Sequence, residues 1–295
     1  MPGATLLDRL LAAPQYLLPH HVLSRLMLRI TRSRRPWWKN ALIHWFQRHF
    51  GVDMSEVRQA DPRAYASFND FFTRALRPEA RPLPESEDTL ISPVDGTVSQ
   101  VGRIQGERIF QAKGHRFTLT ELLGGDAARA RAFHGGHFAT LYLSPRDYHR
   151  IHMPCSGQLR DSTYIPGRLF SVAPYTVRSI SRLFARNERL AARFNTDAGP
   201  MAMVLVGALF VGCIETTWAG VVTPPHGHWV RVRRYDTPDS DTVRLGRGDE
   251  MGRFNMGSTV ILLFTPEAVV WRDDLQPGAQ VKMGQVIGQV LPRSE

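Results

Sequence analysis

From residue 90 onward, glycine and proline cut the chain into short runs rich in β-branched and other apolar residues, at 98–104, 139–143, 203–211, 230–235, 259–264 and 281–290. Runs of that length bounded by turn residues predict strands of an antiparallel or mixed sheet. The first fifty residues have another texture. Leu6, Leu7, Leu10 and Leu11, then Val22, Leu23, Leu26, Met27 and Ile30, then Leu42, Ile43, Trp45 and Phe46 recur at helical spacing. Pro14, Pro19 and Pro36 divide them into three short helices. Residues 60–84 read as polar and helical, with a capped start at Ser67, and 179–194 reads as a helical insertion from its periodicity and charge. The expected class is α+β: N-terminal amphipathic helices, then a mostly antiparallel sheet or sandwich core. The expected division is 1–60 and 61–295.

Composition narrows the function. Of 295 residues 43% are hydrophobic, which is too many for a disordered chain. Two cysteines, Cys155 and Cys213, cannot build a disulfide framework or a four-cysteine zinc site, so a reducing compartment is expected. The apolar stretch 199–214 falls short of the ~20 residues of a spanning helix. It reads instead as a buried strand pair. Asp8 and Arg9 interrupt the N-terminal apolar segment, which argues against a signal peptide. The net charge of +10 points to an anionic partner. The first fifty residues hold eight Lys or Arg against the single acid Asp8, and three of the six tryptophans, Trp37, Trp38 and Trp45. Basic residues beside an apolar face with tryptophans suit a helix lying in a lipid interface, where each Arg near an anionic surface adds about 1 kcal/mol. Nucleic acid is the poorer partner, because the face opposite the arginines is apolar.

Three fragments could carry chemistry. Gly257-Ser258-Thr259 stands between a glycine-rich stretch, 245–252, and an apolar strand, and Gly-x-Ser-x-Gly is absent. His149 and His152 follow Asp147, and further histidine pairs occur at His134 and His137 and at His226 and His228. Such pairs could serve acid–base chemistry or bind a metal, but no spacing is diagnostic of a metal site. Asp95 stands in a Pro93-Val94-Asp95-Gly96 turn. Asp, His and Ser together form a nucleophile-activating set. A faint echo between 92–98 and 281–288 suggests two halves of a lipoyl- or biotinyl-type sandwich, with the C-terminal segment woven into the sheet that carries Asp95.

These fragments, with Phe68-Asn69-Asp70-Phe71-Phe72, Gln111-Ala112-Lys113-Gly114-His115, the run Ser144-Pro145-Arg146-Asp147-Tyr148-His149-Arg150-Ile151-His152-Met153-Pro154, and Glu250-Met251-Gly252-Arg253-Phe254, resemble the bacterial short-chain phosphatidylserine decarboxylase proenzyme family along nearly the whole chain. Met256 and Arg247 depart conservatively from the family's usual Leu or Phe and Lys.

The resemblance implies self-cleavage between Gly257 and Ser258 into a β chain, 1–257, and an α chain, 258–295. Ser258 attacks the Gly257 carbonyl with His152 as base, oriented by Asp95, with Asp147 a second acid for that role. The ester eliminates to dehydroalanine, which hydrolyses to an N-terminal pyruvoyl group and ammonia. That group is the implied cofactor, with no metal and no pyridoxal phosphate. The substrate amine forms a Schiff base with it, CO2 leaves, and His149 is the expected proton donor because a histidine ordinarily titrates near working pH. The implied product is phosphatidylethanolamine. The implied setting is peripheral attachment to an anionic surface on the cytoplasmic face of the bacterial inner membrane, the α and β chains staying together and a homodimer expected. A carrier module or a metal-dependent lipid hydrolase would instead leave the chain whole.

Overall fold

A computed structural model describes residues 3–210, 213–224, 226–238, 241–255 and 258–291. The three expected N-terminal helices are α1 (Leu6–Ala12), α2 (His20–Thr31) and α3 (Pro36–Phe50). Thr5 and Asp8 cap α1 reciprocally, and Pro36 occupies the first turn of α3, where its missing N–H costs nothing. Gly51 ends α3 at φ 65°, a left-handed conformation that glycine adopts without strain.

The amphipathicity of α1 is inverted. Leu6, Leu7, Leu10 and Leu11 are exposed, whereas Asp8 is buried against Arg178, Oδ1 to Nη2 at 2.7 Å. The polar side therefore faces the protein and the apolar side faces outward. α3 buries Ile43 and Phe46 against Phe68, Phe71 and Phe72, so a small apolar cluster joins α3 to α4 (Phe68–Phe72) apart from the main core.

The core is a nine-stranded antiparallel sheet. Its central strand is Ser258–Phe264, paired along one edge with His137–Leu143 and along the other with Gly199–Val206. All seven residues of that strand are buried, which explains a continuous apolar run where a half-exposed strand would alternate. Beyond Gly199–Val206 lie Arg189–Thr196, Gly157–Ile165 and Arg231–Arg234; beyond His137–Leu143 lie Gly96–Arg103 and Gln280–Val281. Gln280–Val281 pairs with Thr97 and Gly96, so the C-terminal segment is woven into the sheet beside Asp95, as the sequence echo suggests. Val286–Val290 lies between Thr89–Ile91 and Val269–Trp271 in a three-stranded sheet, and a four-stranded sheet pairs Glu250–Phe254 with Arg150–His152.

Two expectations need correction. The helical insertion at 179–194 is two short helical turns, Pro174–Ser179 and Leu183–Arg186, followed by the strand Arg189–Thr196. Strand pairing on both edges overrides the helical charge pattern: Arg189 is buried and gives its guanidinium N–H groups to the carbonyls of Glu121, Leu122, Ala185 and Asn187. The apolar stretch 199–214 is not one strand pair. Gly199–Val206 belongs to the large sheet, and Ile214–Thr216 joins the four-stranded sheet.

A break in the chain just before Ser258 would leave the C-terminal fragment held by two complete ladders. Each buried Val, Ile, Leu or Phe contributes roughly 1.5–3 kcal/mol, and the fragment buries Val260, Ile261, Leu262, Leu263 and Phe264 completely. After cleavage the two pieces are therefore expected to co-elute on size exclusion in native buffer and to separate only in denaturant. Release of the small fragment without denaturant would contradict this pairing.

Candidate active site

The site forms where the central strand begins. Ser258 lies opposite Leu143, fully buried, and its Oγ has no hydrogen-bond partner among the described residues. Upstream, Asn255 is held on three sides: its N–H donates to the Cys213 carbonyl at 3.0 Å, its Nδ2 contacts Cys213 Sγ at 2.8 Å, and its Oδ1 accepts from Asn69 Nδ2 at 2.7 Å. Gly257, with Met256, lies outside the described residues. The expected scissile bond thus falls between two fixed points, Asn255 and Ser258.

Leu143 leads into a turn closed by Asp147, whose Oδ2 accepts from the Ser144 N–H at 2.7 Å, and burial raises the Asp147 pKa. Two residues on, His149 is fully buried with its ring 4.1 Å from that of Phe72. Its Nδ1 lies 2.8 Å from the Asp147 carbonyl. A carbonyl only accepts, so Nδ1 carries the hydrogen and Nε2 keeps its lone pair; Nε2 is buried without a partner among the described residues. Burial pushes the His149 pKa down to about 3. The premise that His149 titrates near neutral pH is therefore wrong for the uncleaved chain: desolvation holds the ring neutral.

His152 ends the strand Arg150–His152, and its Nδ1 lies 2.8 Å from the Gly248 carbonyl, which again places the hydrogen on Nδ1. Its Nε2, 3.0 Å from the Tyr148 hydroxyl, accepts from it. Burial lowers the His152 pKa as well, so the ring is a neutral base at pH 7. Asp95 does not hydrogen-bond to His152. Its carboxylate takes the Arg81 guanidinium, Oδ1 to Nε at 3.0 Å and Oδ2 to Nη2 at 2.5 Å, and accepts the Met283 N–H at 2.8 Å. A forked guanidinium is the stronger partner for a carboxylate. Asp95 and His152 are linked instead through backbone, where the His152 N–H donates to the Pro93 carbonyl at 2.9 Å.

Two hollows border these residues. One, of about 250 Å³, is polar and includes Arg74, Arg81, Asp95, Arg146, Asp147 and Tyr148 in its lining. The other, of about 550 Å³, is apolar and lies between the helical arm and the sheet: Met27, Trp38, Trp45 and Phe210 line it, and it reaches Phe72 and Leu143. These last two are the neighbours of His149 and Ser258.

Sequence reading missed Tyr148, Arg81, Asn69, Asn255 and the Gly248 carbonyl. Tyr148 and Asn69 stand inside quoted motifs, but nothing in a linear pattern says that Tyr148 meets His152 or that Asn69 reaches a residue 186 positions away.

A family model described as "Phosphatidylserine decarboxylase" matches residues 68–289, and a second, described as "PSD", matches 10–51. The chain is 56% identical over 287 residues to the phosphatidylserine decarboxylase proenzyme of Bordetella pertussis, covering 97% of this chain and 96% of that one. It is 55% identical over 282 residues to the protein of the same name from Azotobacter vinelandii, covering 96% and 98%. The like-named Alkalilimnicola ehrlichii protein is 60% identical over 260 residues, covering 88% and 90%.

The buried histidines make the fold acid-sensitive. A histidine near pKa 6.5 in the unfolded chain and lower in the fold contributes stability that is complete above pH 6.5 and is lost as the pH falls toward the folded value. For His149, with a folded value of about 3, the loss between pH 7.5 and pH 5 is about 2 kcal/mol. Urea unfolding of the uncleaved Ser258→Ala chain at these two pH values is expected to show at least that loss, and His149→Gln should reduce it by about that amount while the other buried histidines keep theirs. An unchanged pH slope in the His149→Gln variant would contradict a neutral, buried ring.

Proposed function

The chain belongs to the phosphatidylserine decarboxylase family, and on that premise we propose that it decarboxylates phosphatidylserine to phosphatidylethanolamine and CO2, after cutting itself before Ser258 and turning that residue into a pyruvoyl group. The observation that carries the reading is the apolar groove ending on Leu143 and Phe72: it offers a path for acyl chains to the point where Ser258 begins its strand.

In self-cleavage, His152 Nε2 takes the Ser258 hydroxyl proton as Oγ attacks the Gly257 carbonyl. The hydrogen on its Nδ1, held by the Gly248 carbonyl, supports that tautomer. The Tyr148 hydroxyl that now occupies Nε2 must swing away first. Asp95 acts across space, its negative charge favouring the imidazolium, and Arg81 and the Met283 N–H keep it in place. Asp147 braces the turn that carries Tyr148 and His149. The unpartnered, buried Ser258 Oγ fits a hydroxyl that is consumed in processing.

The pyruvoyl group supplies a carbonyl for the substrate amine and a sink for the electron pair left when CO2 departs. His149 is the proton carrier we assign to the decarboxylated carbon. An anionic substrate beside it would raise its pKa from the low value that burial imposes.

Residues 1–60 are the membrane-association region and 61–295 the catalytic one. The outward leucines of α1 and the exposed Trp37 and Trp45 give this region apolar surface, and α2 and the 32–35 segment supply its arginines. Among the described residues no helix is long and apolar enough to cross a membrane. We read the setting as peripheral binding at the anionic cytoplasmic face of the inner membrane, a reading that the apolar surface and the charge support, with a homodimer as the expected assembly.

Intact mass spectrometry tests the chemistry. The wild-type chain should give a fragment starting at position 258 and lighter than its serine form by one ammonia, while Ser258→Ala and His152→Ala stay whole. A fully active sample that remains a single chain would sink the mechanism. Vesicle sedimentation tests the membrane face. Leu7→Glu together with Leu11→Glu should lower binding to phosphatidylglycerol-containing vesicles at least tenfold while self-cleavage proceeds, and undiminished binding would rule out α1 as the contact.

A further inference from the structure

His21, Glu188 and His226 are distant in sequence, yet each offers a ligand atom within 4.8 Å of the others. His21 lies in the first turn of α2, Glu188 immediately precedes the strand Arg189–Thr196, and His226 lies in the segment before Arg231–Arg234. The two imidazole rings are 4.5 Å apart. His21 Nε2 lies 3.0 Å from the Gly167 carbonyl, so it carries the hydrogen and leaves a lone pair on Nδ1. His226 Nδ1 lies 2.8 and 3.0 Å from the two Glu188 oxygens. His21 Nδ1 and His226 Nε2 are both buried without a hydrogen-bond partner among the described residues. Two unpartnered imidazole nitrogens beside one buried carboxylate form a costly arrangement in a protein interior, and a cation relieves it.

We propose that His21, Glu188 and His226 bind a divalent cation of the zinc class and clamp helix α2 onto the sheet. Two imidazoles and a carboxylate are a zinc-type donor set. Ligand atoms about 2.1 Å from one ion lie roughly 3.4 Å from one another in a tetrahedron, so small side-chain shifts suffice. The outer shell suits the assignment. The Gly167 carbonyl fixes the His21 tautomer, and the Tyr164 hydroxyl donates to Glu188 Oε1 at 2.5 Å while accepting the Gly227 N–H at 2.7 Å. A hollow of about 710 Å³ bordered by His21 and His226 leaves room for water at a fourth position.

The location gives the clamp a consequence. Arg189 pairs with Val206, and Val206 pairs with Thr259, so Glu188 lies at the sheet end where Ser258 begins, two strands or roughly 10 Å away. The same α2 that carries His21 lines the apolar groove with Met27 and Ile30. Metal binding would therefore hold one wall of the groove in register with the sheet. No step of the reaction passes through this ion, and the cluster shares no residue with the Ser258 site.

The test uses the full-length protein after chelator treatment. Titration with cobalt(II) should produce a saturable visible absorption of tetrahedral type at one equivalent, and zinc should displace it and raise the melting temperature. His21→Gln and His226→Gln should each weaken zinc binding at least a hundredfold. Ser258→Ala should bind as the wild type does, which separates this result from the decarboxylase reading. The absence of a saturable cobalt band in the wild-type protein would overturn the proposal whether or not the variants fold. Equal zinc affinity in the His21→Gln/His226→Gln double variant would overturn it as well.

Discussion

The pairing of the Ser258–Phe264 strand on both edges is the constraint from which the rest of the molecule follows. A strand inside a sheet, with all seven residues buried, cannot slip by one position without turning every side chain to the opposite face. Ser258 is therefore held at a defined place, opposite Leu143 and beside the end of Gly199–Val206. The same ladders make a chain break at its start tolerable, because the pairings that hold the C-terminal fragment begin at Ser258 and Thr259. A cut at an exposed loop would be as harmless to the fold, but it would not leave a new terminus inside a buried site.

Burial rather than ion pairing sets the chemistry of that site. His149 and His152 both give their Nδ1 hydrogen to a backbone carbonyl, and both are kept neutral by desolvation. Neutral imidazoles with a defined tautomer suit proton removal from a serine. The acidic partner expected for His152, Asp95, is tied to Arg81, so in the proposed mechanism it would act through its field alone. Tyr148 stands on His152 as a hydrogen-bonded cap, so the processing step we propose would require a local rearrangement and not only proximity.

In the proposed function the helical arm would solve a second problem, the meeting of a β-rich body with a lipid. α1 faces the protein with its one acidic residue and faces outward with its leucines, the reverse of a helix built to complete a core. α3 does contribute a buried face, but to a separate aromatic cluster with α4, so the arm is attached by Asp8–Arg178, by that cluster and by the contacts of His20 and His21. A metal at His21, Glu188 and His226 would add a coordinate tie to attachments that are otherwise an ion pair, hydrogen bonds and packing.

Local pattern determined the α+β class, the three proline-bounded helices, the apolar central strand and the motifs that hold Asp95, Asp147, His149, His152 and Ser258, because helical periodicity, turn residues and strand length are properties of neighbouring residues. Tertiary structure decided what linear order cannot encode. It turned Arg189–Thr196 from an expected helix into a strand, since ladder bonds on two edges outweigh a helical charge pattern. It gave Asp95 to Arg81 and His152 to Tyr148, and it joined His21, Glu188 and His226 across three elements. Hydrogen-bond partners and pKa values depend on distance and burial, and those exist only once the chain has closed on itself.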